Sequence, residues 1–327
     1  MAIYVAVPHH LIAALGNWDG AWYGTIAARG YQNAFDGAQG NLAFFPLFPL
    51  LSWFVLRLGI GWPLAGALIN NAAFLGGLFL VYDFARKRFD APTARWATAM
   101  LCALPLSLFC SVAYSEGLFI LLSTAALCLY DRKKYALSGV MAACASATRP
   151  LGIALALSLV VTAIVERRGW RTILVSTSGF GGIAAFALYC ELRFRDALAF
   201  VHAQDAWRHN RGFDFVGWQG VLRGANLGRP HDWIVLLFLI LVVPMTLLCA
   251  RKLGTAGILY IGIGFAMLLF AGTPLSVDRN MYSIVPLIVA IGTICRRLPL
   301  LGTVAIACAV VLLALDAFAF AKFQWVA

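Results

Sequence analysis

The chain of 327 residues is 62% hydrophobic and only 12% charged, with a mean hydropathy of +0.85, which is more apolar surface than a soluble core of this size can bury. The composition excludes an ordinary soluble domain and specifies an all-α, polytopic integral membrane protein, a single helical bundle over residues 1–327. Its net charge of +11 does not point to nucleic acid, because the basic residues lie in short groups between apolar runs, as in loops that face anionic lipid headgroups.

Residues 1–16 lack the basic and apolar regions of a cleavable leader, so none is expected. The stretch Asn17-Trp18-Asp19-Gly20-Ala21-Trp22-Tyr23 follows, with one carboxylate, Asp19, among three aromatic rings. Two roles fit that carboxylate: a helix cap, which Asp performs well, or a reagent. Residues 41–59 are apolar but contain Pro46, Pro49 and Arg57, so they can span the membrane or lie along it as a juxtamembrane helix. Clearer spans are expected at about 62–84, 94–113, 115–130, 135–148, 151–165, 172–192, 233–250, 253–271, 281–295 and 298–320, ten to eleven in all. Several fall short of ~20 residues, which implies shielding by neighbouring helices or a thinned, solvated cavity.

With 41–59 interfacial, five basic groups fall on one side: Arg86/Lys87/Arg88/Arg95, Arg132/Lys133/Lys134, Arg167/Arg168/Arg171, Arg251/Lys252 and Arg296/Arg297. The positive-inside rule makes that side cytoplasmic and so favours the interfacial reading. Both termini then lie outside, with no helix leading into 17–59. Either a first span precedes this sequence or residues 1–15 are its remnant.

The opposite face collects the isolated charges. It carries Asp19 and Asp36 in the outer loop 17–59, Tyr114-Ser115-Glu116, Thr148-Arg149-Pro150, the long outer loop 193–231, and Ser276-Val277-Asp278-Arg279. Charges at the ends of spans are rare unless they face a cavity or one another. Glu116 and Arg149 fit a mutual structural ion pair as well as a site, Arg279 fits interfacial snorkelling, and Tyr114 fits an aromatic belt. Loop 193–231 holds Arg193, Arg195, Arg208, Arg211, Arg223 and Arg229 on the side where positive charge is normally depleted, so an anion such as phosphate is a natural companion. His202, His209 and His231 have no metal-ligand spacing. All eight cysteines sit in apolar segments without a CxxC, as small core residues rather than disulfides or ligands. There is no Walker loop, no strand-supported Rossmann pattern and no GxSxG elbow.

The block Asn17-Trp18-Asp19-Gly20-Ala21-Trp22-Tyr23, with Ile26-Ala27 and Gly30-Tyr31, is followed by Ala43-Phe44-Phe45-Pro46-Leu47-Phe48-Pro49. Together they resemble the signature of the PIG-V-like (GPI mannosyltransferase II-like) family of GT-C superfamily membrane glycosyltransferases. Tyr114-Ser115-Glu116-Gly117-Leu118-Phe119, Thr148-Arg149-Pro150-Leu151-Gly152 and Gln204-Asp205-Ala206-Trp207-Arg208 extend the resemblance through most of the chain, in order. It implies transfer of a sugar, mannose in the eukaryotic members, from a polyprenyl-phosphate donor to a glycan, lipid or protein acceptor on the non-cytoplasmic face. It also implies that Asp19, in the first outer loop, activates the acceptor.

The chemistry suits these residue types. An acceptor hydroxyl needs a carboxylate to take its proton, and one base suffices for inversion because the leaving group is already a phosphate. Arg149, Arg208 and Arg279 are the candidates for that phosphate. Trp18, Trp22, Tyr23 and Trp207 are candidate walls for a sugar or prenyl chain, and Tyr114, Glu116, Gln204 and Asp278 complete the candidate substrate-binding set. No cofactor is required, although a divalent metal is possible. A lipid-linked-sugar transporter would also use outer arginines and broken helices, and a non-catalytic subunit that binds a lipid-linked sugar would make Asp19 dispensable. A bacterial inner membrane and the endoplasmic reticulum give the same topology; short loops and the lack of a retention tail tilt towards bacteria.

Overall fold

The computed structural model describes residues 12–32, 39–208, 212–223 and 230–326, and of 223, 230–239, 241–243 and 245 the backbone alone. Asp36, His209, Arg211 and Arg229 lie outside the described residues, as do the side chains of Arg223 and His231. Among the described residues the fold is helical, without a β-strand.

The first helices are short: α1 (Asp19–Arg29) and α2 (Leu47–Arg57), each of eleven residues. At 1.5 Å per residue α2 is about 16 Å long, half the ~30 Å of bilayer hydrocarbon, and Pro46 and Pro49 set its start. In length it resembles the other short apolar helices, Tyr135–Ser146 and Gly152–Val165. Then come α3 (Leu64–Arg88), α4 (Ala91–Ala103), α5 (Glu116–Asp131), α6 (Tyr135–Ser146), α7 (Gly152–Val165), α8 (Trp170–Thr177) and α9 (Gly181–Phe194). The chain continues with α10 (Ala199–Gln204), α11 (Phe215–Arg223), α12 (Pro230–Leu269), α13 (Val277–Tyr282), α14 (Val285–Arg297) and α15 (Pro299–Ala321).

Among the described residues four stretches are long and apolar enough to cross a membrane, namely 64–88, 170–194, 246–269 and 299–321. The expected span 233–250 lies within α12, the others are shorter helices, and the breaks have local causes. The expected span 94–113 divides because Leu104, before Pro105, is pushed to extended ψ 141°, and a 3-10 turn (Pro105–Cys110) replaces the helix. The α12 run is interrupted at Gly254, with φ 70° and ψ 169°, at the start of the expected span 253–271. There Arg88 donates to the Lys252 carbonyl at 3.0 Å and to that of Leu253, so one guanidinium satisfies groups that the break releases. The short α5 lies deep in the bundle, packed on α3 and α6. Neighbouring helices, rather than lipid, cover most of it.

The two faces expected from charge are both assembled. At one end Arg88 pairs with Asp131, Arg132 with Asp83 at 2.9 Å, Arg296 with Asp90, and Arg168 with Glu166 at 2.7 Å. Arg168 also reaches the Tyr135 hydroxyl at 3.5 Å, which ties the third basic group to the second. At the other end lie the starts of α1, α5 and α13 and the turn after α6.

Candidate active site

The backbone brings Asp19 to this end in an unusual way. Trp18 precedes α1 with φ 56°, a left-handed value costly for a bulky residue, and its ring is wedged against Phe323 (4.7 Å, stacked) and Trp325 (5.1 Å, edge-on). The Asp19 amide donates to the Tyr114 hydroxyl at 3.1 Å, and that hydroxyl donates to the Asn17 carbonyl at 3.3 Å. Tyr114 is therefore a buried clamp on the start of α1 rather than a belt residue, and burial, with the Asp19 carboxylate nearby, holds its phenol well above the usual range. One turn on, the Tyr23 hydroxyl meets Ser115 at 3.0 Å. Burial pushes the Tyr23 phenol up to about 12, against the lowering field of Arg149.

The Asp19 carboxylate makes no capping hydrogen bond to α1. It turns instead to Arg279, 2.9 Å away. Arg279 also stands 3.3 Å from Glu116, which pairs in turn with Arg149, and Arg149 donates to the Asn280 side chain at 2.9 Å. The expected Glu116–Arg149 pair is present, but as half of a four-membered chain: Asp19, Arg279, Glu116, Arg149. Two carboxylates and two guanidinium groups cancel in formal charge, which is what lets such a cluster lie in an apolar bundle. Rings of Phe109 and Tyr114 lie 5.1 and 5.5 Å from the Arg279 guanidinium carbon and close it off from solvent. Burial alone would weaken the charge on Arg279, and the two carboxylates more than restore it.

The members differ in access. The side chain of Glu116 is 1% exposed, those of Arg149 and Arg279 are 9% and 10%, and that of Asp19 is 20%. Asp19 is the outermost group. The two Arg279 contacts are at ion-pair distance without hydrogen-bond alignment, and one Glu116 carboxylate oxygen has no hydrogen-bond partner among the described residues.

The other sequence candidates divide. Trp22 packs on Phe44 (6.1 Å) and Trp207 (6.4 Å), so the 204–208 block lies beside α1. In that block Arg208 bonds Gln204 at 2.7 Å and lies 3.6 Å from Asp205. Asp278 is buried behind Arg279, whose amide it accepts at 2.7 Å. His202 pairs with Asp196 at 2.7 Å. Among the described residues no three His, Cys, Asp or Glu side chains converge as a metal site.

Sequence reasoning missed Asn70 and Asn280. Asn70, fully buried in α3, donates to the carbonyls of Phe109 (2.7 Å) and Val112 (2.8 Å) and accepts from the Gly117 amide (2.8 Å). It thereby pins the turn that presents Glu116. The polar pair Asn70-Asn71 inside an apolar span was the available signal. The last turn of α1, the first turns of α2 and the first half of α9 line an open cavity of about 610 Å³, apolar except for Arg29, Tyr31 and Tyr189 in its lining.

No family model matches the chain. Over 159 residues it is 30% identical to GPI alpha-1,6-mannosyltransferase 2 of Rattus norvegicus and 31% identical to that of Cricetulus griseus, in each case over 44% of this chain and 30% of the relative. It is 28% identical over 119 residues to GPI mannosyltransferase 2 of Drosophila pseudoobscura pseudoobscura, 33% of this chain and 25% of that one. The matched stretch thus spans less than a third of the length of these relatives. The fold is that of ArnT from Cupriavidus metallidurans, with a TM-score of 0.54 and 17% identity over 88% of this chain and 55% of that one. The chain is thus similar to GPI mannosyltransferases 2 over less than half of its own length, and it shares the fold of ArnT. Asp19 opens the first described helix, within the N-terminal block on which the resemblance rests.

Proposed function

We propose that the chain is a membrane glycosyltransferase, mannosyl-transferring by kinship, that moves a sugar from a polyprenyl-phosphate donor to an acceptor hydroxyl with inversion, on the face opposite the basic loops. The carrying observation is that Asp19 is the most exposed member of the four-charge chain and is not used as a cap. Asp19 accepts the acceptor proton as the hydroxyl attacks the anomeric carbon and the phosphate leaves. Arg279 and Tyr114 position it, one through the carboxylate and the other through the amide. Glu116, buried between two guanidinium groups, supports Arg279 and is not the base.

The donor phosphate falls to an arginine with room to receive it. Arg149 and Arg279 face carboxylates, so either must exchange a partner to reach phosphate. Arg208 is a quarter exposed, hydrogen-bonded to a neutral amide and only loosely paired with Asp205 at 3.6 Å, which makes it the more accessible group, and Trp207 places it beside Trp22. In this reading guanidinium carries the leaving-group charge and no resident cofactor is required. The cavity at the end of α1 suits the hydrocarbon of a lipid-linked substrate.

Asp19→Asn decides the proposal. It keeps the size of the side chain but cannot take a proton, so turnover of labelled polyprenyl-phosphate mannose should fall by about 10²–10⁴-fold with donor binding intact. An Asp19→Asn protein near wild-type turnover would end the mechanism.

A further inference from the structure

A second pocket, of about 360 Å³, lies at the opposite end of α6 from Arg149. Lys133, Lys134 and Leu137 line it from the start of α6, and Arg171 and Val175 line it from α8. No acidic residue lines it. That separates it from the rest of the basic face, where Arg132, Arg168, Arg88 and Arg296 each hold an Asp or Glu. Lys133, Lys134 and Arg171 are all exposed, and among the described residues none of them has an ion-pair partner. Three uncompensated cations around one concavity repel one another, so the pocket is most stable with an anion in it.

The surroundings say which kind of anion. Leu137 (51% exposed) and Val140 (50%) continue along α6 from the pocket, and Trp170 (68%) and Leu174 (61%) flank it on α8. The Arg171 guanidinium lies 5.6 Å over the Trp170 ring, a cation on an amphipathic ring of the sort found at headgroup depth. A cationic pocket opening onto an exposed apolar track matches an amphiphile rather than a free ion. We propose that this pocket binds an anionic phospholipid of the leaflet on the basic face. Its phosphate lies among Lys133, Lys134 and Arg171, and an acyl chain runs along Leu137, Val140 and Leu174. This site is separate from the glycosyltransferase reading and stands or falls without it.

Native mass spectrometry of the detergent-solubilised full chain, given phosphatidylglycerol and phosphatidylcholine in equal amounts, tests it. The wild type should retain phosphatidylglycerol in preference. The K133Q/K134Q/R171Q triple variant should bind it about tenfold or more weakly. A triple variant with the same charge loss elsewhere on that face, R95Q/R251Q/R297Q, should bind as the wild type does. Millimolar inorganic phosphate should fail to displace the lipid. Equal retention of the two lipids, equal losses in both triple variants, or displacement by inorganic phosphate would each overturn the proposal, the last in favour of a free-anion site. If the first triple variant is not monodisperse, Arg171→Glu alone must still weaken phosphatidylglycerol binding; unchanged binding would again overturn the site.

Discussion

Asp19 and Asp90 put the same side chain to opposite uses. Asp90 precedes α4 in an extended conformation and accepts the Thr93 amide at 2.8 Å, an N-cap worth about 1 kcal/mol. Asp19 is one residue too late to cap α1, because Trp18 occupies the N-cap position with its left-handed φ, and the carboxylate is left for Arg279. The difference in burial between the two site carboxylates separates their expected roles in a melting experiment. Replacing Glu116 with Gln leaves Arg149 without a carboxylate and Arg279 with Asp19 alone, a loss of about 3–5 kcal/mol. Replacing Asp19 with Asn breaks the more accessible end of the chain and leaves both guanidinium groups in contact with Glu116, so it should cost less than the Glu116 change. Thermal unfolding of the two variants should therefore rank Glu116→Gln well below Asp19→Asn, while turnover falls with both. Equal melting temperatures would mean that Glu116 is not the structural member. Arg279→Lys keeps one charge but loses the fork that reaches both carboxylates, and should recover only a small part of the activity lost in Arg279→Ala.

At the level of elements, Asn70 and Gly254 each bear on one joint. Asn70→Leu leaves the Phe109 carbonyl and the Gly117 amide unpartnered inside the bundle and takes one of two donors from the Val112 carbonyl, which should cost about 3 kcal/mol and displace Glu116 with the turn that carries it. A variant of unchanged stability and turnover would show that the turn holds without it. Gly254→Ala forces a side chain into φ 70° and against the Arg88 guanidinium, 2.7 Å from the new Cβ, for an expected loss of about 1–3 kcal/mol in denaturant unfolding. The contrast between these joints and the charged site shows what the sequence could and could not tell. Asp19, Glu116, Arg149 and Arg279 stood out because charge in an apolar chain is costly and must find company. Asn70 and Asn280 did not, since a neutral polar group is tolerated in many settings, and Tyr114 stood out without its partner, which lies 95 residues away at Asp19. Helix existence was legible from apolar runs. The division of 94–113 at Leu104 and the cap position taken by Trp18 were not, since they depend on single dihedral angles. The two-faced arrangement itself was legible, because the order of basic groups along the chain fixes it.

For the whole molecule, that arrangement makes a topological prediction independent of the chemistry. The basic groups at 86–95, 132–134, 167–171, 251–252 and 296–297 are joined by contacts at one end, from Arg88 with Asp131 and the Lys252 carbonyl to Arg168 with Tyr135. The four-charge chain and the 204–208 block belong to the other. Anionic lipid and the membrane potential both favour keeping the basic end in the cytoplasm, so the Asp19 end faces out of it. In a background with the native cysteines replaced, single cysteines at positions 196–208 should react with a membrane-impermeant maleimide in intact cells. Cysteines at 133 and 171 should react only after the membrane is opened. The reverse pattern would place Asp19 on the cytoplasmic side, where a polyprenyl-phosphate sugar presented from outside could not reach it, and would remove both the orientation and the donor from the proposal. Reaction at both sets in intact cells would show that the basic loops are not sided at all. The test is informative even in an inactive variant such as Asp19→Asn, because sidedness is set by the charge pattern of the loops and not by turnover.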